Sequence, residues 1–174
     1  MFVLLYEDCG WFSNLPVEIN NFNGICMNHM KEIHVISHCF LNPAARLKGL
    51  KPLPPLDLPG NIIQLPCPEA TYSGLNRWEI TREQLDCPNY RRFCRKIFQP
   101  TADILQMLYQ AGYTIKLLGV RGSPSCGVMT TSVGFEGGRL EKKDHVHIQG
   151  MGIFFEEIIQ ELESRDIEFN LYEK

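Results

Sequence analysis

Apolar residues recur along the chain with two different spacings, and these spacings predict its secondary structure. Four short apolar runs are typical of β-strands: 32–37, 61–65, 114–118 and 167–171. Between Asp86 and Gly112 apolar residues recur every three or four positions, which predicts helix, and Pro100 is expected to divide this stretch into two helices. A hairpin is predicted through 130–140, and a last helix at 152–164. The solvent face of that last helix is expected to carry Glu156, Glu157, Glu161 and Glu163.

The order of these elements predicts the fold class. Strands that alternate with helical stretches are typical of an α/β domain with a mostly parallel sheet, because a parallel connection needs a crossover. We therefore predict a Rossmann-like, three-layer α/β domain over residues 30–174. The proline-rich stretch 51–60 is expected to be an extended connection, since proline interrupts helices. Residues 1–29 are rich in asparagine and lack a clear period, which predicts a weakly structured or loosely packed extension. The role of this extension, and whether Met30 is the natural start, are left open.

Composition narrows the classes of function. The chain has 174 residues, of which 44% are hydrophobic, and this is enough for one domain with a substantial core. A formal net charge of -3 argues against general attraction to nucleic acids. No apolar run has the length of a membrane span, and the N-terminus lacks the pattern of a secretory signal. We therefore expect a cytoplasmic protein with reduced cysteines and no membrane partner, and the oligomeric state is left open.

Three cysteines follow three of the predicted strands. Cys39, Cys67 and Cys126 each stand in the loop that leaves the carboxyl end of a strand. Because these ends gather at one edge of a parallel sheet, we expect the three side chains to converge there and to form a metal site. The alternative is that each cysteine is a small buried apolar residue, which we favour for Cys87 and Cys94.

The number of cysteines bears on the kind of metal site. A structural zinc site usually has four ligands, often in paired C-x-x-C motifs, and the chain has no such pair. Three thiolates suit a [4Fe-4S] cluster in which the fourth iron has no protein ligand and can bind a substrate atom. The glycines at positions 119, 122 and 127 are expected to let the backbone approach such a cluster.

Three segments of the chain, in this order, resemble the 2-thiouracil desulfidase family: SHCFLNPAARLKG (37–49), LPCPEATYSGLNRW (65–78) and RGSPSCGV (121–128). The resemblance covers the chain from about Lys31 onward. It implies a [4Fe-4S] cluster on Cys39, Cys67 and Cys126, at the carboxyl ends of the strands. It also points to Glu69 and Ser123 as the polar catalytic pair. Members of that family remove the sulfur of a thiolated pyrimidine as hydrogen sulfide.

The chemistry of sulfur-for-oxygen exchange agrees with these two residues. A water molecule must be activated and protons must be moved, so Glu69 is expected to act as general base or proton shuttle and Ser123 to orient water or substrate. The alternatives are that Glu69 only caps a helix or pairs with Arg77, and that Ser123 only satisfies the loop backbone. Contacts with the substrate are expected from four further residues: Arg46, Tyr72, Arg77 and Ser125.

The chain departs from the family at two places. It keeps Arg46 and Gly49, but Asn42 stands where the family has the glycine of its C-L-L-G motif. The stretch 72–74 stands where the family tends to have a double glycine. Since both loops are expected to line the substrate pocket, these differences bear on which substrate is bound.

The leading hypothesis is an iron–sulfur desulfidase, hydrolytic overall, that acts on a small thiopyrimidine base, nucleoside or nucleotide. The alternative is a non-catalytic iron–sulfur or persulfide-binding sulfur carrier with the same three cysteines. The substitution Glu69→Gln separates the two hypotheses, because only the enzyme needs this carboxylate. A nucleotide-binding domain is disfavoured, since the stretch 119–127 has neither the G-x-G-x-x-G nor the GK[ST] arrangement.

Overall fold

A sheet of four parallel strands lies at the centre of the structure, a computed structural model that describes residues 31–137 and 144–174. In sheet order the strands are β2 (Asn61–Gln64), β1 (Glu32–Ile36), β3 (Thr114–Gly119) and β6 (Phe169–Glu173). Every neighbouring pair in this sheet is parallel. The predicted α/β architecture is therefore confirmed, and the arrangement is consistent with a Rossmann-like fold.

Strand β1 is the point at which the strand order reverses. The chain leaves β1 for β2 on one side and then crosses to β3 on the other side. Ile33, Val35 and Ile36 of β1 are buried, as a strand covered on both faces requires. In open α/β sheets a crevice forms at such a reversal, outside the carboxyl ends of the strands.

Helices flank the sheet. Their bounds are α1 (Pro68–Ser73), α2 (Arg82–Leu85), α3 (Pro88–Gln110) and α4 (Ile153–Ser164). Helices α3 and α4 pack against each other, and the rings of Phe98 and Phe154 meet edge to face with centroids 6.3 Å apart. The buried apolar side of α4 includes Ile158 and Leu162, as the apolar spacing predicts.

The predicted break at Pro100 is wrong, because α3 continues through it as one helix of 23 residues. An internal proline removes one backbone hydrogen bond and crowds the carbonyl of the residue four before it. Pro100 itself is exposed, whereas Phe98, Ala102 and Leu105 on either side of it are buried. Burial of these neighbours offsets the local cost of the proline, and sequence spacing alone does not reveal that balance.

Two strand positions also differ from the prediction. The hairpin pairs β4 (Thr130–Val133) with β5 (Val146–Gln149), so its second strand lies beyond the predicted end at residue 140. Strand β6 begins at Phe169 rather than at residue 167. The N–H of Ile167 donates to the carbonyl of Leu162 at 3.0 Å, and this bond holds residue 167 in the turn that ends α4.

The prediction that Glu157 lies on the solvent face of α4 is wrong. Glu157 is 1% exposed, and its carboxylate binds Arg91 at 2.8 Å and Arg95. Both arginines belong to α3, so the ion pair crosses the interface between the two helices. A glutamate in an amphipathic pattern is usually solvated, and only the position of its partners explains why this one is buried.

The connection 51–60 contains no helix, as its prolines predict. The predicted extension at 1–29 lies outside the described residues. Within the described residues, none of the helices combines the length and the apolar composition that a membrane span requires.

Candidate functional site

Cysteines follow the three adjacent strands β2, β1 and β3. Cys39 lies in a single turn of 3-10 helix at His38–Phe40 after β1, Cys67 is the residue before α1, and Cys126 lies in the loop after β3. The negative charges of Cys39 and Cys67 both raise the pKa of Cys126, and that of Cys67 raises the pKa of Cys39. Because such electrostatic effects weaken with distance, the three thiols are neighbours.

Burial dominates the acidity of these thiols. It raises the pKa of Cys39 to about 11, raises that of Cys67, and raises that of Cys126 well above its ordinary value. The positive charge of Arg46 lowers the pKa of Cys39 but does not offset the burial. All three cysteines are free thiols. A buried group of thiols can hold negative charge only when a cation compensates it, which is the situation of metal-bound cysteines.

The donor atoms of the site are the sulfur atoms of three cysteines. Within residues 31–137 and 144–174, no group of three or more His, Cys, Asp or Glu side chains is arranged to hold a metal ion. In a four-iron cluster the cysteines bind different iron atoms, so their sulfur atoms lie further apart than around one ion. Three neighbouring sulfur atoms fit an iron–sulfur centre by ligand type. The cysteine residues therefore fit an iron–sulfur cluster in the type of their ligand atoms and in their closeness to one another.

The backbone of the loop that contains Cys126 forms hydrogen bonds with the first turn of α4 and with the side chain of Ser123, and these bonds hold its bent shape. On one side its carbonyl groups accept hydrogen bonds from the first turn of α4: Pro124 from Ile153 at 3.0 Å, and Ser125 from Phe154 at 3.0 Å. On the other side the N–H of Cys126 donates to Oγ of Ser123 at 3.0 Å. These bonds satisfy helix N–H groups that otherwise lack partners and fix the position of the cysteine.

The glycines of this loop approach other backbone atoms very closely. A Cβ at Gly119 would lie 2.4 Å from the carbonyl oxygen of Cys126, and one at Gly127 would lie 2.0 Å from that of Thr130. No side chain fits at these distances. The expected approach of backbone to a cluster stays a prediction, and the approach seen here is of the loop to itself.

Glu173 at the end of β6 holds the other end of this loop. Its Oε1 accepts three consecutive backbone N–H groups, from Val128 at 2.9 Å, Met129 at 2.9 Å and Thr130 at 3.1 Å. Burial works against the charge of this carboxylate, but the three donors lower its pKa overall. The local pattern around residue 173 does not predict this role, because the loop that Glu173 binds lies more than 40 residues earlier in the chain.

Glu69 lies beside the three cysteines. Its negative charge raises the pKa of Cys39, of Cys67 and of Cys126. Its Oε2 accepts a hydrogen bond from Nε of Arg77 at 3.2 Å. We call these three cysteines together with Glu69 the cysteine site. The ion pair with Arg77 is the alternative that the sequence left open, and a catalytic role of Glu69 stays a prediction.

Arg77 is almost completely buried, with 4% of its side chain exposed. Besides Glu69 it binds two carbonyl groups, those of Ala45 at 3.0 Å and Gly74 at 3.3 Å. It therefore joins α1 to the turn that follows Cys39, and it fixes the direction of the Glu69 carboxylate. Its predicted contact with the substrate stays a prediction.

Ser123 and Ser125 both make contacts inside the loop. Oγ of Ser123 accepts the N–H groups of Ser125 at 3.3 Å and Cys126 at 3.0 Å, which is the backbone role that the sequence left as an alternative. Ser125 is fully buried, and its hydroxyl lies 3.0 Å from the hydroxyl of Tyr90. Direct roles of these serines in catalysis and substrate binding stay predictions.

The two other expected substrate contacts lie at the edges of the site. Arg46 is close enough to Cys39 to lower its pKa, and Nε of Arg46 is buried without a hydrogen-bond partner in the described part of the chain. Tyr72 is 43% exposed and packs against the rings of Tyr90 and Phe93, each with a centroid distance of 5.1 Å. Both side chains remain candidates for contact with a ligand.

A cavity of about 290 Å³ opens beside Cys67. Its polar lining comes from His38, Asn42 and Thr71, and its apolar lining includes Leu75. The volume suits a small ring compound. Sequence reasoning did not predict the cavity, although it identified Asn42 as a departure from the family pattern.

The chain is similar to a protein of known sequence. This is the uncharacterized protein MJ0003 of Methanocaldococcus jannaschii, which is 30% identical over 146 residues, 79% of this chain and 81% of the relative. The chain belongs to the same family as this archaeal protein. No protein-family model matches the chain, and no solved structure matches it.

Proposed function

We propose that this protein is a [4Fe-4S]-dependent desulfidase related to the 2-thiouracil desulfidases. It replaces the thiocarbonyl sulfur of a small thiolated compound, a thiopyrimidine base, nucleoside or nucleotide, with oxygen. One water molecule is consumed and one hydrogen sulfide is released, so no electron donor is needed. The observation that carries the proposal is the proximity of three thiols, one buried and two partly buried, and a carboxylate at the carboxyl ends of three adjacent parallel strands.

Cys39, Cys67 and Cys126 are the residues that would hold the cluster. When bound, the cluster supplies an iron atom without a protein ligand, to which the sulfur of a thiocarbonyl is attracted. Burial raises the pKa of each of these thiols, so a nearby cation is needed to keep them as thiolates at neutral pH. The positive charge of Arg46 beside Cys39 contributes in the same direction.

Glu69 is the proton-transferring residue of this proposal. Arg77 binds its Oε2, and Oε1 accepts no hydrogen bond from residues 31–137 or 144–174. The unoccupied oxygen can therefore take a proton from the attacking water and return it to the departing sulfide. Because Arg77 is fixed by two backbone carbonyl groups, it keeps the carboxylate pointing in one direction.

The remaining residues are proposed to bind the substrate and to hold the loop that carries Cys126. The cavity beside Cys67 is the proposed place of the substrate ring. Tyr72 and Arg46 do not line it but follow the lining residues Thr71 and Ala45 in sequence, and they are proposed as further contacts. Ser123 keeps the N–H of Cys126 directed toward its own hydroxyl and so maintains the loop that presents Cys126. The presence of a cavity favours an enzyme over a protein that only carries sulfur.

The substitution Glu69→Gln tests the proposal. We expect sulfide release from 2-thiouracil by the anaerobically reconstituted protein to fall by about 100-fold or more, with iron content unchanged. Glu163→Gln is the matched control, because Glu163 is an exposed glutamate of α4 far from the cysteines in sequence, and it should keep full activity. A wild type that binds iron but releases no sulfide from any thiopyrimidine would favour the sulfur carrier.

A further inference from the structure

Two buried hydroxyl groups meet beside the loop of Cys126. Oη of Tyr90 in α3 lies 3.0 Å from Oγ of Ser125, and both residues are fully buried. Burial, followed by the charge of Cys94, raises the pKa of Tyr90 far above its ordinary value. Both hydroxyl groups therefore keep their hydrogen atoms, and each can donate as well as accept.

This pair of hydroxyl groups has one hydrogen atom more than its own bond uses. Each hydroxyl has one hydrogen, and the bond between Tyr90 and Ser125 needs only one of the two. Within residues 31–137 and 144–174, neither hydroxyl has a second oxygen or nitrogen partner. Because a buried O–H without an acceptor is costly, the second hydrogen is expected to point toward an acceptor of another kind.

Sulfur atoms are the acceptors that lie near the pair. Besides burial, the charges of Cys94 and Cys126 raise the pKa of Tyr90, so both thiols are close to its hydroxyl. When Ser125 donates to Tyr90, the second hydrogen is that of Tyr90 and can reach Cys94. When Tyr90 donates to Ser125, the second hydrogen is that of Ser125, the residue directly before Cys126. Since an ionised sulfur accepts more strongly than a neutral thiol, negative charge on Cys126 favours the second arrangement.

Ser125 is held from two sides, so its hydroxyl has a defined position. Its carbonyl oxygen accepts hydrogen bonds from two N–H groups at the start of α4, at 3.0 and 3.2 Å. Its side chain meets α3 through Tyr90, whose ring packs edge to face against Tyr72 with centroids 5.1 Å apart. Tyr90 stands 35 residues before Ser125 in the chain, and the sequence pattern alone does not predict their contact.

We infer that Tyr90 is a positioning residue, which through Ser125 directs a hydrogen-bond donor at the sulfur of Cys126. The inference rests on the proposed function, because it requires Cys126 to be a ligand of an iron–sulfur cluster. Hydrogen bonds to the sulfur atoms of such a cluster help to set its reduction potential. A donor stabilises the additional negative charge of the reduced form, so its removal makes the potential more negative.

The test measures the reduction potential of the anaerobically reconstituted full chain by redox titration followed by EPR spectroscopy. Tyr90→Phe keeps the ring and loses the hydroxyl, and Ser125→Ala removes the donor itself. We expect a more negative potential in both variants, with the larger shift in Ser125→Ala, because Tyr90→Phe only frees the direction of the Ser125 hydroxyl. Two controls should keep the potential of wild type: Tyr109→Phe, about 28 Å further along α3, and Ser164→Ala, an exposed serine of α4.

The outcomes separate this inference from the proposed function. An unchanged or less negative potential in either variant overturns the inference even if the wild type releases sulfide from 2-thiouracil. Shifted potentials in a protein that releases no sulfide support the inference and reject the desulfidase, whereas a wild type that binds no iron overturns both. If the variants retain less iron than wild type, urea denaturation of the full chain decides between two roles. Unchanged stability supports positioning of Cys126, and a parallel loss of stability overturns it, because the hydroxyl pair would then only hold the fold.

Discussion

Two regions of this protein contain buried ionisable groups, and they differ in whether the charges are paired. In the first, the cysteine site, Cys39, Cys67, Cys126 and Glu69 all become negative when they ionise. The charges of Cys39, Cys67 and Glu69 raise the pKa of Cys126, and that of Glu69 raises the pKa of all three thiols. Among the described residues, Arg46 and Arg77 are the cations that act on them. The group therefore has an excess of negative charge when its thiols are ionised.

The second region lies where α4 packs against α2 and the first half of α3. We call it the ion-pair cluster, and it consists of three arginines and three acids: Arg82, Arg91, Arg95, Asp86, Glu156 and Glu157. Arg91 binds all three acids, with Nε 2.7 Å from Asp86 and Nη2 2.8 Å from Glu156. Its hydrogen bond to Asp86 is the first reason that the pKa of Arg91 is raised. Each charge in this cluster is matched.

This difference in charge pairing indicates that the ion-pair cluster is structural and that the cysteine site is functional. A buried charge that is fully paired is compensated within the protein and needs no ligand, although removal of one partner is costly. A buried group of acids with too few cations is costly to ionise, and proteins keep such groups where a ligand or metal supplies the missing charge. The comparison predicts that substitutions in the two regions affect different measurements.

The largest effect is expected from Cys126→Ala. The reconstituted wild type should contain about four irons per chain, and this variant should contain less than about a tenth of that, because two cysteines do not retain the cluster. Iron and acid-labile sulfide analysis under anaerobic conditions measures the loss. Cys94→Ala removes a buried cysteine of α3 and should leave the iron content unchanged. Retention of iron by Cys126→Ala would mean that the cysteine site is not a cluster site.

The next effect is expected from Glu157→Gln in the ion-pair cluster. Loss of this charge removes the charged hydrogen-bond partner that Arg91 and Arg95 share, so the free energy of unfolding should fall by about 2 kcal/mol in urea denaturation. Glu163→Gln on the same helix should change it by less than about 0.5 kcal/mol. The iron content of both variants should equal that of wild type. If Glu157→Gln lost iron but not stability, the division between the two regions would fail.

A smaller effect with a defined pH dependence is expected from Glu173→Gln. Hydrogen bonds to the charged carboxylate should make the wild type more stable by about 1–2 kcal/mol at neutral pH. The pKa of Glu173 in the folded state lies below its ordinary value of 4.5. This stability is therefore complete above about pH 4.5 and is lost as the pH falls through the folded pKa. Urea denaturation of both proteins between pH 7 and pH 3 checks this, and a difference that grew on acidification would contradict it.

The candidate site was partly predictable from the sequence. Cys39 and Cys67 each follow a recognisable apolar strand by three residues, so the edge of the sheet to which they belong could be predicted. Glu69 stands two residues after Cys67 on the same short helix and could be predicted with it. The contacts of Glu157 could not be predicted, because Arg91 lies 66 residues earlier in the chain.

The sequence by itself determined the strands β1, β2 and β3, the α/β class and the position of three cysteines in the loops that follow these strands. These are local consequences of apolar spacing and of the geometry that all parallel sheets share. Only the tertiary structure decided that α3 continues through Pro100, that Glu173 holds the loop of Cys126, and that Tyr90 meets Ser125. Each of these depends on atoms brought together from distant parts of the chain or on the burial of neighbouring side chains, which no local pattern records.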